Sequence, residues 1–176
     1  MARLHHKKGI IPLVEAWLKS NLLNNERYEL IIAGPDDGEL ANLEKTLPNK
    51  TTVTNIRYLG AVYGEAKTKL LEQSSFFVLP SHSEGFPTSV LEAMQYGLVP
   101  LISSGCNFPE VFEKKLALKT EPNSGEIKTV LNNLSNYTAS DLSSWAANCQ
   151  TFVFENYSLN KIAEQQFNAF TKLIGT

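Results

Sequence analysis

The stretch Ser81-His82-Ser83-Glu84-Gly85-Phe86-Pro87-Thr88-Ser89-Val90-Leu91-Glu92-Ala93-Met94 decides how this chain folds. It follows a short apolar run, Phe76-Phe77-Val78-Leu79-Pro80, and opens a helical pattern over Ser89 to Tyr96 that closes at Gly97. A buried strand therefore runs into a polar, glycine-containing loop, and the loop runs into a helix N-terminus. Free N–H groups and the positive end of a helix dipole gather at such a corner and favour an anion. Glu84 and Glu92 stand on either side of the turn, eight residues apart. Acids beside a phosphate-accepting corner can take ligand hydroxyls, which points to a sugar nucleotide.

Outward from this corner the chain alternates short apolar runs with amphipathic helices. Ile10, Leu13, Val14, Trp17 and Leu18 recur at helical spacing and predict a helix ending near Asn21 to Asn25. Tyr28 to Ala33 reads as a buried strand stopped by Gly34-Pro35-Asp36-Asp37-Gly38. A helix over Glu39 to Leu47, a strand over Thr54 to Leu59 and a helix over Glu65 to Gln73 follow. Beyond the decisive stretch come a strand at Leu98 to Ile102, a short helix at Phe108 to Glu113 and an edge strand at Lys115 to Lys119. Helices are expected over Glu126 to Leu134, Asp141 to Glu155 and Leu159 to Leu173. The fold class is α/β: a Rossmann-like parallel sheet of about six strands with helices on both faces. Ligands of such sheets sit beyond the carboxyl ends of the strands, where Arg3, Gly34, Gly60 and Ser81 to Pro87 fall. Met1 to Leu4 is too short for a buried strand, so the chain is expected to start inside one, as a fragment of a longer protein would.

Composition narrows the class of protein. The 176 residues suit one domain, and 43% hydrophobic with 19% charged residues is ordinary for a globular protein. A net charge of −2 with scattered Lys and Arg gives no footprint for nucleic acid. No apolar run approaches the roughly 18 residues of a membrane span, and no secretory leader pattern opens the sequence. Cys106 and Cys149 lie far apart without metal-ligand spacing and read as free thiols of a reducing compartment, the cytoplasm. His5 and His6, being adjacent, are expected to point in different directions, which argues against a metal site there.

Several ordered motifs carry a resemblance: Arg3-Leu4 then Lys8-Gly9, Ala33-Gly34, Leu59-Gly60, Pro80-Ser81, Glu84-Gly85-Phe86 and Leu91-Glu92-Ala93-Met94. Gly97-Leu98-Val99-Pro100, then Pro109-Glu110, and the ending from Phe154 with Tyr157-Ser158 continue the pattern. The chain resembles the C-terminal, donor-binding domain of retaining glycosyltransferases of family 4, one half of a two-domain GT-B fold. The resemblance implies that residues 1–176 form a single nucleotide-sugar-binding domain. It also implies transfer of a sugar from a UDP- or GDP-sugar to a glycan, lipid or small-molecule acceptor, with no metal and no cofactor. The acceptor-binding N-terminal half is missing, so the isolated chain is expected to transfer little. Peripheral contact with the inner face of a membrane would come through that other half.

Residue by residue, the resemblance assigns Glu92 to the ribose hydroxyls and places Glu84 beside the donor sugar. Gly85, Phe86 and Pro87 line the diphosphate and sugar, and Arg3 and Lys8 hold the diphosphate as it leaves. Glu84, Arg3 and Lys8 thus form the expected catalytic set. Ser81, His82, Thr88, Leu91, Gly34, Gly60 and Val62 complete the donor site, with Gly60 to Val62 against the base. The sequence departs from the family where Pro87 replaces a third glycine, removing an N–H donor, and where Pro35 follows Gly34.

Plainer readings stand beside these. Ser89-x-x-Glu92 is also a capping box, which explains Glu92 without a ligand. Glu84 could be a solvated loop acid, and Arg3 and Lys8 surface charges. His82 reads as a polar loop residue close enough to contact the sugar, and Phe86 as an anchor for its loop. Glu110 either edges the sugar pocket or caps its helix. Trp145, Phe152 and Phe154 belong to helix faces, some of them an association patch. At the level of function, a nucleotide-sugar epimerase of the same architecture and a non-catalytic nucleotide-sugar-binding module are the alternatives.

Overall fold

The computed structural model describes residues 1–48 and 55–174. Its helices are α1 (Ile10–Leu18), α2 (Leu40–Thr46), α3 (Gly64–Glu72), α4 (Thr88–Gln95), α5 (Pro109–Glu113), α6 (Ser124–Asn133), α7 (Ala139–Tyr157) and α8 (Leu159–Ile174). The strands are β1 (Leu30–Ile32), β2 (Ile56–Tyr58), β3 (Phe76–Leu79), β4 (Val99–Ser103) and β5 (Leu118–Thr120). The alternation expected from the sequence is present, with most boundaries within two residues. The helix after Gly9 is shorter than expected and stops at Leu18. Thr54, expected to begin a strand, lies outside the described residues.

All strand pairing is parallel, as the apolar runs require, because a strand covered on both faces has no polar side. The sheet is not a single ladder of about six strands, however. Among the described residues, β1 pairs with β2, and β3-β4-β5 form a separate ladder. A cavity of about 430 Å³ separates them, lined by residues of both β1 and β3 together with Ile10, Leu13 and Trp17. Residues 2–4 reach the upper end of this gap. Ala2 N–H donates to Ala33 O at 3.1 Å, Leu4 N–H donates to Pro35 O at 2.8 Å, and Leu4 forms an isolated parallel bridge with Asp36. The sequence reading of about six strands therefore overcounted the strands that pair among the described residues.

Two apolar clusters cover the two faces. Leu13, Val14 and Trp17 of α1, Leu43 of α2 and Ile127 and Leu131 of α6 pack with Leu30, Ile32 and Leu101. Leu71 of α3, Val90, Ala93 and Met94 of α4, Val111 of α5 and Phe152 of α7 pack with Phe77, Leu79 and Ile102. Leu101 and Ile102 are neighbours on β4 yet fall in opposite clusters, the period-two alternation of a strand. Truncating either to alanine should cost about 2–5 kcal/mol.

Cys106 and Cys149 are both free and buried. Burial pushes the Cys106 thiol up and the Cys149 thiol up to about 12, so neither is a thiolate near neutral pH. The native protein should leave both unreacted towards a disulfide-exchange dye at pH 8, and the denatured chain should titrate two. Rapid reaction of either thiol before unfolding would contradict this packing.

Candidate functional site

The loop after β3 is held from two sides, by the chain preceding α1 and by the end of β4 with the turn after it. His82 N–H donates to Lys7 O at 2.7 Å, and Glu84 N–H donates to Gly105 O at 2.8 Å. The buried Ser103 hydroxyl donates to Ser81 O. Two glycines make this approach feasible. A Cβ at Gly9, which has φ +66°, would stand 2.1 Å from Pro80 O, and one at Gly105 would stand 2.3 Å from Ser81 O. Below them Cys106 Sγ donates to Leu79 O at 3.2 Å.

Inside this frame Lys8 Nζ lies 2.7 and 2.8 Å from the two carboxylate oxygens of Glu84. Their side chains are only 19% and 12% exposed. The Ser81 hydroxyl, on a fully buried residue, donates to the same Glu84 oxygen that Lys8 approaches more closely. Glu84 is therefore not a solvated loop acid, and Lys8 is not a free surface charge. Arg3 is elsewhere: its Nη1 lies 2.9 Å from Asp37 Oδ2 in an exposed pair after β1, a contact worth about 0–1 kcal/mol. The structure thus joins Lys8 to Glu84 and leaves Arg3 paired with Asp37.

The capping-box reading of Glu92 fails. Helix α4 begins at Thr88 with Pro87 as its N-cap, and no side chain caps it. Ser89 is already inside the first turn, because the helix starts one residue before the sequence pattern implied. Glu92 instead pairs with Lys67 of α3, Nζ to Oε1 at 2.6 Å. The two lie on the rim of a cavity of about 390 Å³ lined also by Thr88, Ser89, Leu71, Phe77 and Met1.

The other expected residues fall around these two centres. Gly85 is exposed, and its carbonyl accepts from Asn107 Nδ2 at 3.2 Å. Phe86 is 51% exposed, yet its ring sits 6.1 Å from Phe108 and 5.9 Å from Tyr157, so it does anchor the loop. Pro87 is buried, Thr88 is exposed and Leu91 packs against the cluster that covers β4. Gly34 and Gly60 meet through an N–H···O bond of 2.8 Å, and Val62 lies just beyond, partly covered. The His82 side chain is exposed and its loop contact is through the backbone alone. Glu110 does not cap its helix with a side-chain bond; its Oε2 accepts from Tyr157 Oη at 2.8 Å. Burial first, then that bond, push the Tyr157 hydroxyl up to about 12, keeping it a donor. His5 and His6 do not point apart: their ring centroids are 4.2 Å from each other. Among the described residues no group of three His, Cys, Asp or Glu could hold a metal ion. No described helix is long and apolar enough to cross a membrane.

Gly105, Ser103 and Lys67 were missed from the sequence. Ser103 ends β4 and Gly105 lies in the small polar turn after it, and the strand-end logic applied to Gly34 and Gly60 would have found them. Lys67 carries no such signal, being one of several lysines on an exposed helix pattern.

Comparisons with known proteins give the family and the fold. The family model described as glycosyl transferases group 1 matches residues 1–141, and the chain belongs to that family. A GDP-mannose:cellobiosyl-diphosphopolyprenol alpha-mannosyltransferase of Xanthomonas campestris is 32% identical over 97 residues, covering 54% of this chain and 25% of the relative. The C-terminal domain of a glycosyl transferase group 1 family protein from Francisella tularensis superposes with a TM-score of 0.77 at 20% identity, covering 90% of this chain and 84% of the other. HepE of Anabaena, solved with UDP and glucose, gives 0.76 at 17% identity over 97% of this chain and 47% of its own. The fold is one half of a GT-B architecture. The chain spans between a quarter and a half of the length of the Xanthomonas and Anabaena proteins.

Gly105→Ala should lower stability by about 1–3 kcal/mol, the usual cost of forcing atoms into a packed site. Gly125→Ala, on α6 with its nearest contact at 3.5 Å, should be neutral or stabilising by about 0.5–1 kcal/mol. Thermal melts of both variants check the pair; equal melting temperatures would mean that the loop is not clamped as described.

Proposed function

We propose that this chain is the donor-binding half of a retaining glycosyltransferase that takes a nucleotide-diphosphate sugar. The observation that carries the reading is the Lys8–Glu84–Ser81 cluster at the mouth of α4, with Glu92 one turn inside the helix on a cavity large enough for a nucleoside. The diphosphate would lie at the start of α4, where the first-turn N–H groups and Lys8 meet its charge. Lys8 would exchange part of its bond with Glu84 for the phosphate oxygens. Glu84, already occupied by Lys8 and Ser81, would act as an oriented acceptor beside the sugar and not as a covalent nucleophile. The bond from the anomeric carbon to phosphate breaks and the bond to the acceptor oxygen forms on the same face. The acceptor proton passes to the departing phosphate, and the nucleoside diphosphate leaves. In this reading Lys8 and the helix amides neutralise the leaving group without a metal ion, and Arg3 joins them only if it leaves Asp37. Names of relatives favour a GDP-mannose donor, and HepE was solved with UDP. We place the protein in the cytoplasm, consistent with two reduced, buried thiols.

The acceptor side would belong to a second domain. The exposed Leu159, Phe167, Phe170 and Ile174 of α8 offer an apolar stripe to it. The gap between β1 and β3 has the place of a central strand in a doubly wound sheet, where the innermost strand lies between the second and fourth. We propose that an apolar segment leading into Met1 fills it in a longer protein.

Isothermal titration should show binding of UDP or GDP, with Glu92→Ala and Lys8→Met each weakening it by about tenfold or more, the loss of a charge-assisted bond. Unchanged affinity in both variants would remove the donor site from this corner. Turnover of the sugar on its own nucleotide, with no acceptor present, would favour the epimerase reading. An N-terminal extension of four valine or isoleucine residues should raise the melting temperature and protect β1 and β3 amides from exchange. A Ser-Gly extension of equal length should do neither, and equal effects would rule out the strand.

A further inference from the structure

We infer that Lys67 is a positioning residue for the nucleoside end of the donor, fixing Glu92 so that its carboxylate meets the pentose hydroxyls. This deepens the donor reading above and rests on it. Lys67 and Lys69 are two residues apart on α3 and do different things. Lys69 pairs with Glu65 four residues before it, on the exposed outer face. Lys67 turns towards the sheet, two-thirds buried, and crosses from α3 to α4 to reach Glu92 Oε1 at 2.6 Å. Leu71 and Phe77 give the cavity apolar lining, and Thr88 and Ser89 add hydroxyls to it. Such a mixed lining suits a base and its ribose.

Two physical problems at this place are both met by a lysine. A glutamate on a helix surface samples many rotamers, and one bound oxygen removes most of them while leaving the other oxygen as an acceptor. A bare carboxylate next to a diphosphate would also repel it, since like charges at short range oppose each other. Lys67 cancels that charge without using Lys8, which has its own carboxylate. The pair therefore makes a neutral, fixed hydroxyl acceptor one turn inside a helix whose mouth attracts anions.

The test measures affinities of the chain for UDP, GDP and their 2′-deoxy counterparts by titration calorimetry, for wild type, Lys67→Met, Lys67→Gln and Lys67→Arg. Wild type should prefer the ribonucleotide. Lys67→Met and Lys67→Gln should weaken ribonucleotide binding about tenfold, the size of one charge-assisted hydrogen bond, and erase most of the ribose preference. Lys67→Arg should restore both, and the melting temperatures should stay close together because the residue is partly exposed. A neutral variant that keeps the wild-type preference would overturn the positioning role while leaving the donor reading intact. If wild type binds none of the nucleotides, the donor reading fails and this role fails with it.

Discussion

The site depends on a backbone constraint: the loop after β3 is gripped between the chain preceding α1 and the turn following β4. Lys7 O, Gly105 O and the Ser103 hydroxyl hold His82, Glu84 and Ser81 respectively. Each bond is ordinary, but together they satisfy buried polar groups that would otherwise cost about 1–3 kcal/mol apiece. Because Gly9 and Gly105 carry no side chain, main chain meets main chain and the loop has little room to drift. Every side chain at the mouth of α4 inherits its position from that grip.

The Lys8–Glu84 pair shows why the grip matters. Two mostly covered charges are stable together only where geometry is good, and removing one partner of a buried pair costs about 3–5 kcal/mol. Glu84 gains a further donor from Ser81, so it stays oriented without help from solvent. An anion approaching Lys8 therefore competes with an internal carboxylate, which favours a ligand of high charge that also draws on the α4 amides. A variant at Lys8 acts on both fold and ligand, so its affinity is read beside its melting temperature.

Much of this was legible in the sequence, for reasons that can be traced. Phe76 to Leu79 read as a strand because both faces are covered, and Leu101 beside Ile102 shows the same double burial. Glu84, Gly85 and Glu92 stand out as candidates because a glycine loop between strand and helix is local information. The capping box was misread because Pro87 sets the helix start at Thr88, and a pattern beginning at Ser89 cannot register a one-residue shift. The division of the sheet was hidden because pairing is non-local: β1 and β3 each look like complete strands. His5 and His6 were expected to diverge, but in the short 3-10 turn over His6–Lys8 neighbouring rings come within stacking distance.

Lys67 and Arg3 mark the limit of sequence reading from opposite sides. Arg3 was chosen by pattern, and the structure binds it to Asp37, whose turn is pinned when its N–H donates to Leu4 O at 2.9 Å. Lys67 had no pattern, yet it reaches Glu92 because α3 and α4 flank β3 and bring two surface-looking residues to one rim. Charge placement at the site is thus set by how helices pack on the sheet, while the corner that attracts the anion is set by the loop alone. The first can vary without moving the second, so an architecture of this kind can keep its anion-favouring corner while the charges around it change.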